Sequence, residues 1–198
     1  MAGSSRTTRA LGVVTLEQLL LFVTGALDRV GIPYMVVGSL ASTVHGEPRA
    51  TQDVDIVIDP DRAQLDELLA GLDRSVFYVG SAQAALDRRD MFNVVDTTSG
   101  WKVDFIIRKD REFSIVELDR RTEVEVLGIR LFVASPEDTI LAKLEWSAAS
   151  GSDRQLADAA AVVLVSGELL DWDHLHRWAD VLGVAERLSQ LVDDDVQT

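Results

Sequence analysis

The 198-residue sequence contains no cysteine, which removes disulfide frameworks, thiolate nucleophiles and zinc-thiolate sites together. Long apolar runs are missing too: stretches such as residues 19–23 fall far short of the roughly 18 residues that a membrane-spanning helix needs. The N-terminal residues carry Arg6 and Arg9 without a hydrophobic signal segment behind them. A soluble, cytoplasmic protein with no membrane partner is the expectation. Basic charge is the scarcer sign, with 19 Lys and Arg against 33 Asp and Glu and a net charge of −14. An acidic chain repels phosphate unless basic residues gather locally, which argues against broad nonspecific nucleic-acid binding but leaves an RNA substrate open. Two such gatherings exist, Arg108 with Lys109 and Arg111, and Arg120 with Arg121, and both read as solvated loop charges. Histidine is sparse: His45 falls close to the candidate site below, whereas His174 and His176 lack metal-like partners.

What remains is ordinary globular content, 47% hydrophobic and 26% charged, in a chain long enough for one core with a helical appendage. Thr15 with Gln18 resembles a capping box, opening an amphipathic helix that stops at Gly31. Residues 34–37 read as a buried strand, 39–45 as a short helix and 53–58 as a second strand. Asp59-Pro60 reads as the start of a helix that ends near Gly71, with Asp59 and Asp61 as caps. Further on, residues 76–79 suggest a short strand and 81–89 a short helix. Residues 91–95 and 101–107 form a hairpin, and a second hairpin turns at Leu127-Gly128. From Ser135 onward the pattern is wholly helical, with breaks at Ser150-Gly151, a capping box from Ser152 to Gln155, and a cap at Asp171. The expected fold is α/β, more narrowly α+β, with a mixed-sheet core over residues 1–134 and a helical region over 135–198.

The informative stretch is Gly38-Ser39, then thirteen residues, then Asp53-Val54-Asp55-Ile56-Val57-Ile58. Strand alternation sends Val54, Ile56 and Ile58 into the core and projects Asp53 and Asp55 together from the other face. Paired carboxylates repel unless a cation sits between them, and oxygen ligands suit Mg²⁺, which also takes substrate phosphates as ligands. Gly38 would let the backbone approach those phosphates, and Ser39 with the following amides could cradle them at a helix N-terminus. In residues 101–107, Trp101, Val103, Phe105 and Ile107 share one face and leave Asp104 on the other. If that strand neighbours 53–58, Asp104 completes a three-carboxylate site, as ligand to a second metal and as base in a two-metal phosphoryl transfer.

This pattern resembles the polymerase β-type nucleotidyltransferase superfamily over residues 34–107. The segment from Gly46 to Asp55, with Arg49, Thr51 and the two aspartates, is more narrowly similar to the AbiEii/MenT toxins of bacterial toxin-antitoxin systems. Those toxins carry a lysine on one C-terminal helix and an acid on the next, which Lys143 and Asp158 match. The resemblance implies an enzyme that moves a nucleoside monophosphate from a nucleoside triphosphate to a hydroxyl acceptor. It implies RNA as that acceptor, at the 3′ end of tRNA, with a cognate antitoxin as partner. It also assigns Lys143 to the nucleotide phosphates, Asp158 to orienting Lys143 or the acceptor hydroxyl, and Thr51 as a candidate phosphorylation site by which the antitoxin silences the enzyme. The chain departs from the family at Ser152-Asp153-Arg154-Gln155, where a basic stretch is common, so Arg154 receives no role.

Plainer readings stand beside these. Lys143 also fits a snorkelling surface lysine, Arg49 a solvated loop residue, and Thr51 an ordinary strand threonine. Asp158 interrupts an apolar run and needs either water or a partner. Trp172 and Trp178 fit core packing or a partner interface. Two other functions remain: a nucleotidyltransferase that modifies a small molecule or a protein, and a non-catalytic binding module or antitoxin that keeps the fold.

Overall fold

The computed structural model describes residues 15–47 and 53–195; Arg49 and Thr51 lie outside the described residues. The chain begins with α1 (Leu16–Val30), whose N-cap Thr15 accepts a hydrogen bond from the Gln18 amide and whose C-cap Gly31 takes the left-handed conformation. Next come β1 (Tyr34–Val37), α2 (Gly38–His45), β2 (Asp53–Ile58), α3 (Arg62–Ala70), β3 (Phe77–Val79), α4 (Ala82–Arg88), β4 (Met91–Asp96) and β5 (Lys102–Ile107). Then follow α5 (Glu112–Asp119), β6 (Thr122–Val126), β7 (Ile129–Val133), and the helices α6 (Pro136–Ser150), α7 (Asp153–Ser166), α8 (Trp172–Leu182) and α9 (Ala185–Asp195).

The strands form a seven-stranded mixed sheet in the order β3-β4-β5-β2-β1-β7-β6. Hairpins pair β4 with β5 and β6 with β7, the pairs β3–β4 and β1–β2 are antiparallel across an intervening helix, and β2 runs parallel to β5 and β1 parallel to β7. Alternation decides which side chains go where. Val54, Ile56 and Ile58 of β2 and Val103, Phe105 and Ile107 of β5 enter the main core, which α1 and α3 complete with Leu20, Leu27, Leu65 and Leu68. On the opposite face, Met35, Val57 and Ile106 meet Leu118 of α5 and Ala134. A separate apolar cluster joins Phe113 of α5 to Ile140, Leu144, Val162 and Trp178 of the C-terminal helices.

Several sequence expectations change here. Helix α5 falls where the spacing suggested only loop and basic charge. It has little one-sided periodicity because Leu118 serves the sheet side while Phe113 serves the helical side. Apart from the exposed Lys109, the basic groups are not solvated loop charges. Arg108 pairs with Asp59 at 2.8 Å, Arg111 holds Glu145 by two nitrogens at 2.5 and 2.7 Å, Arg120 reaches Glu137 at 3.1 Å, and Arg121 lies over the Phe132 ring.

Asp59 is therefore an ion-pair partner rather than a helix cap. Asp61 alone caps α3, in a reciprocal box with Gln64. At α7, Ser152 occupies the N-cap position without a side-chain cap hydrogen bond. Trp178 is a core residue against Phe113. Among the described residues, no helix is long and apolar enough to cross a membrane.

Candidate active site

The sheet aligns the predicted acids by register. Val37 of β1 pairs with Asp55 of β2, Asp55 with Asp104 of β5, and Asp104 with Asn93 of β4. Asp55 and Asp104 therefore stand abreast on adjacent parallel strands, about 4.8 Å apart in backbone spacing. Burial, and then the charge of Asp104, raise the Asp55 pKa, while Lys143 and Lys102 oppose the shift. Asp53 shares their face at the start of β2, but its side chain is 54% exposed.

Between these acids lies a cation that the sequence pattern did not single out. Lys102 Nζ sits 2.8 Å from Asp104 Oδ2 and 3.4 Å from Asp53 Oδ2. The hydrogen bond to Asp104 raises its pKa. Its position two residues before Asp104 was the available signal, since strand alternation puts both on one face.

Gly38 has a nearer task than admitting phosphate. Its φ is +64°, and a Cβ built there would stand 2.1 Å from Asp55 Oδ2. Only glycine lets β1 turn into α2 while the Asp55 carboxylate lies against the backbone. The α2 N-terminus, with Gly38 and Ser39, borders a cavity of about 320 Å³ that Asp55, Asp104 and Lys143 also line. Asp53 and Asp158 are not among the lining residues. Asp158, on α7, instead holds the buried Lys143 ammonium of α6 at 2.7 Å. That contact contradicts a snorkelling surface lysine at 143 and supplies the partner that Asp158 needs.

Helix α6 lines the cavity with Thr139, Ala142, Lys143 and Trp146 at i, i+3, i+4 and i+7. Helix α5 contributes Phe113, Ser114 and Glu117, and the Arg111–Glu145 ion pair ties the two helices together. Glu117 is a buried acid that sequence reasoning missed along with its helix. Burial, then the charge of Asp138, push its pKa up to about 8. Arg154 is exposed and does not border the cavity. His45 stands off the cavity, with Nε2 2.8 Å from the Ala134 carbonyl oxygen, and burial lowers its pKa. His174 Nε2 lies 2.7 Å from Asp138 Oδ1 in a structural contact between α8 and α6.

Among the described residues, no group of three or more histidines, aspartates or glutamates is arranged to hold a metal ion. The donor pair Asp55 and Asp104 nevertheless fits a hard divalent cation. Both offer oxygen and they repel each other, and a cation would offset the burial and the Asp104 charge that raise the Asp55 pKa.

A mixed sheet that presents aspartates from two parallel strands beside a Gly-Ser helix start is the nucleotidyltransferase fold. The chain belongs to the family described as nucleotidyltransferase of unknown function (DUF6036), whose profile matches residues 13–190. No curated protein matches the sequence. Solved structures of the same fold include an antigenic nucleotidyltransferase-like protein from Paracoccidioides brasiliensis, 17% identical with a TM-score of 0.55 over 92% of this chain and 95% of that one. They also include ANT(2")-Ia in complex with adenylyl-2"-tobramycin, 15% identical with a TM-score of 0.56 over 87% and 96% of the two chains. A third is the lincosamide antibiotic adenylyltransferase LnuA bound to lincomycin, 13% identical with a TM-score of 0.53 over 75% and 96%. At these identities the likeness concerns the fold alone.

Proposed function

We propose that the protein is a divalent-metal-dependent nucleotidyltransferase that transfers a nucleoside monophosphate from a nucleoside triphosphate to a hydroxyl group and releases pyrophosphate. The carrying observation is the register pairing of Asp55 with Asp104 in a cavity that also holds Gly38-Ser39 and Lys143. Asp55 and Asp104 are the groups that would hold Mg²⁺, with the more exposed Asp53 on the same face as a further candidate. The ion when bound would neutralise the phosphate oxygens and polarise the attacking hydroxyl.

The chain's own groups divide the remaining work. Lys143, fixed by Asp158 rather than wandering, presents its charge to the triphosphate, and the α2 N-terminus with Ser39 donates hydrogen bonds to it. Arg49 is a further candidate for the phosphates. As the acceptor oxygen bonds to the α-phosphorus, the bond from that phosphorus to the bridging oxygen breaks. The hydroxyl proton passes to Asp104, and pyrophosphate carries off the bonding electrons. In this reading, residues 1–134 form the catalytic core and 135–198 the helical region that closes the cavity.

The resemblance to AbiEii/MenT toxins supports RNA, at the 3′ end of tRNA, as acceptor, a toxin role in a bacterial toxin-antitoxin system, and a cognate antitoxin as partner. Thr51 is the candidate site of control, tested by mass spectrometry of the protein incubated with antitoxin and ATP. A small-molecule acceptor is the second reading. A net charge of −14 opposes a polyanion, and a cavity of about 320 Å³ suits a compact ligand.

The deciding experiment incubates purified protein with Mg²⁺ and each α-labelled triphosphate in turn, with total RNA or with deproteinised small molecules. Asp53→Ala and Asp104→Ala serve as controls. Label in RNA that disappears in both variants supports the toxin reading, and label confined to small molecules supports the second. Absence of label and of released pyrophosphate under every condition would sink the enzyme assignment in favour of a binding module or antitoxin.

A further inference from the structure

Two polar groups deep in the cavity are left over by the proposed chemistry. Glu117 is 7% exposed and Thr139 is 3% exposed. Glu117 has no hydrogen-bond partner among the described residues, whereas its neighbour in charge, Asp138, is held by Ser135 and His174. Thr139 Oγ1 is buried and likewise unpartnered. Both residues line the cavity: the sealed Thr139 hydroxyl costs about 1–3 kcal/mol until it gains a partner, and the Glu117 carboxyl, on which only burial and neighbouring charges act, has bonds left for a ligand.

The geometry of α6 indicates which ligand. Thr139 and Lys143 are four residues apart on the same face, one helical turn or about 6 Å along the axis. A molecule whose phosphates meet Lys143 and the α2 N-terminus can extend along α6 one turn back, to Thr139, or about one turn on, to Trp146. Glu117, on which Asp138 acts most strongly of the neighbouring charges, favours the turn of Thr139. The walls on the way are apolar: Val37, Val57, Ile106, Phe113 and Ala142. A flat, apolar-faced body with a hydrogen-bonding edge fits between them, and the part of a nucleoside triphosphate with those properties is its base.

We propose that Glu117 and Thr139 form the nucleobase-recognition subsite, reading the hydrogen-bonding edge of the base and setting which triphosphate is used. The inference rests on the nucleotidyltransferase reading above. A protonated carboxyl offers one donor and one acceptor, as the Watson–Crick edges of bases do, and the hydroxyl of Thr139 adds one of each. The raised Glu117 pKa agrees with a group that enters this pairing uncharged near neutrality. The charged groups acting on it are Arg111 and Lys109 beside α5, and Asp138 and Glu145 from α6. Arg111 and Glu145 are already joined to each other.

The test measures equilibrium binding of ATP, GTP, CTP and UTP in the presence of Mg²⁺, with inorganic tripolyphosphate as a probe that has phosphates and no base. The proteins are wild type, Glu117→Gln, Glu117→Leu and Thr139→Val. Wild type is expected to prefer one triphosphate. Glu117→Gln, which keeps a donor and an acceptor, should retain that preference. Glu117→Leu and Thr139→Val should lose roughly tenfold in affinity for the preferred triphosphate, with tripolyphosphate binding unchanged and with the loss expressed in KM rather than kcat.

Equal preference in wild type, Glu117→Leu and Thr139→Val would overturn the inference. So would a change confined to the acceptor's KM. If Glu117→Leu does not fold, the near-isosteric Thr139→Val carries the same comparison. Wild-type protein that binds neither triphosphates nor tripolyphosphate would overturn the nucleotidyltransferase reading itself, a result distinct from loss of base discrimination alone.

Discussion

The cost of replacing Gly38 combines two penalties at one atom. A side chain there would hold a φ of +64° and place its Cβ 2.1 Å from Asp55 Oδ2. The left-handed backbone costs roughly 1–2 kcal/mol by itself, and relief of the clash must push Asp55 out of register with Asp104. Gly38→Ala is expected to lower stability by about 2–3 kcal/mol in a denaturant melt. Nucleotidyl transfer should fall on the order of a hundredfold, a larger loss than the stability change explains. Glu117 supplies a second residue-scale prediction, this time in pH. Its pKa is about 8 when folded against an ordinary 4.5, so the native state keeps a proton that the unfolded chain releases. The favourable contribution is complete below pH 4.5 and is lost as pH rises toward 8. Glu117→Gln removes that dependence. Its melting temperature should exceed that of wild type by a margin that grows by several degrees between roughly pH 5 and pH 8; a constant margin would contradict the buried, proton-holding assignment.

At the scale of elements, the site depends on helices α5 and α6 far more than on α3. Helix α3 lies on the other side of the sheet, where Asp61 and Gln64 close a capping box in an exposed setting. Asp61→Ala should cost about 1 kcal/mol of stability and leave transfer activity at the wild-type level, making it a control for variants near the cavity. Helix α5 has the opposite character. It is eight residues long, it is tied to α6 through Arg111 and Glu145, and it places Glu117 beside the cavity. Arg111→Ala is expected to disturb substrate affinity more than stability, measured as a rise in KM of roughly three- to tenfold, because the ion pair is part-exposed and worth about 1 kcal/mol.

For the molecule as a whole, the acidic excess decides how an acceptor reaches the cavity. With a net charge of −14, an RNA acceptor is repelled over the Debye length, about 10 Å at 0.1 M salt. If RNA is the acceptor, the rate at sub-saturating RNA should rise several-fold between roughly 0.02 and 0.15 M monovalent salt. A neutral small acceptor should show a flat profile. The salt profile thus separates the two proposed acceptor classes by charge alone.

Local pattern was enough for most of the elements and for the identity of the acids. Strand alternation in residues 53–58 and 101–107 needs only a two-residue period, so the side on which Asp53, Asp55 and Asp104 project was legible before any tertiary contact. The caps at Thr15, Asp61, Ser135 and Asp171 were legible for the same reason, since each is a bond between residues three apart. Other features depend on partners far along the chain. The parallel pairing of β2 with β5 sets Asp55 against Asp104, 49 residues apart, and no local period specifies that register. Helix α5 escaped because its two faces serve different apolar clusters. Asp59 looked like a cap, and Lys102 and Glu117 drew no reading at all, until packing gave each its neighbours. Burial changes the meaning of a charge, and burial is a property of the assembled layers. The sequence by itself determined on which strand face Asp53, Asp55 and Asp104 project; only the tertiary structure decided which residues share one cavity, because electrostatic and hydrogen-bonding partners are chosen by distance in space.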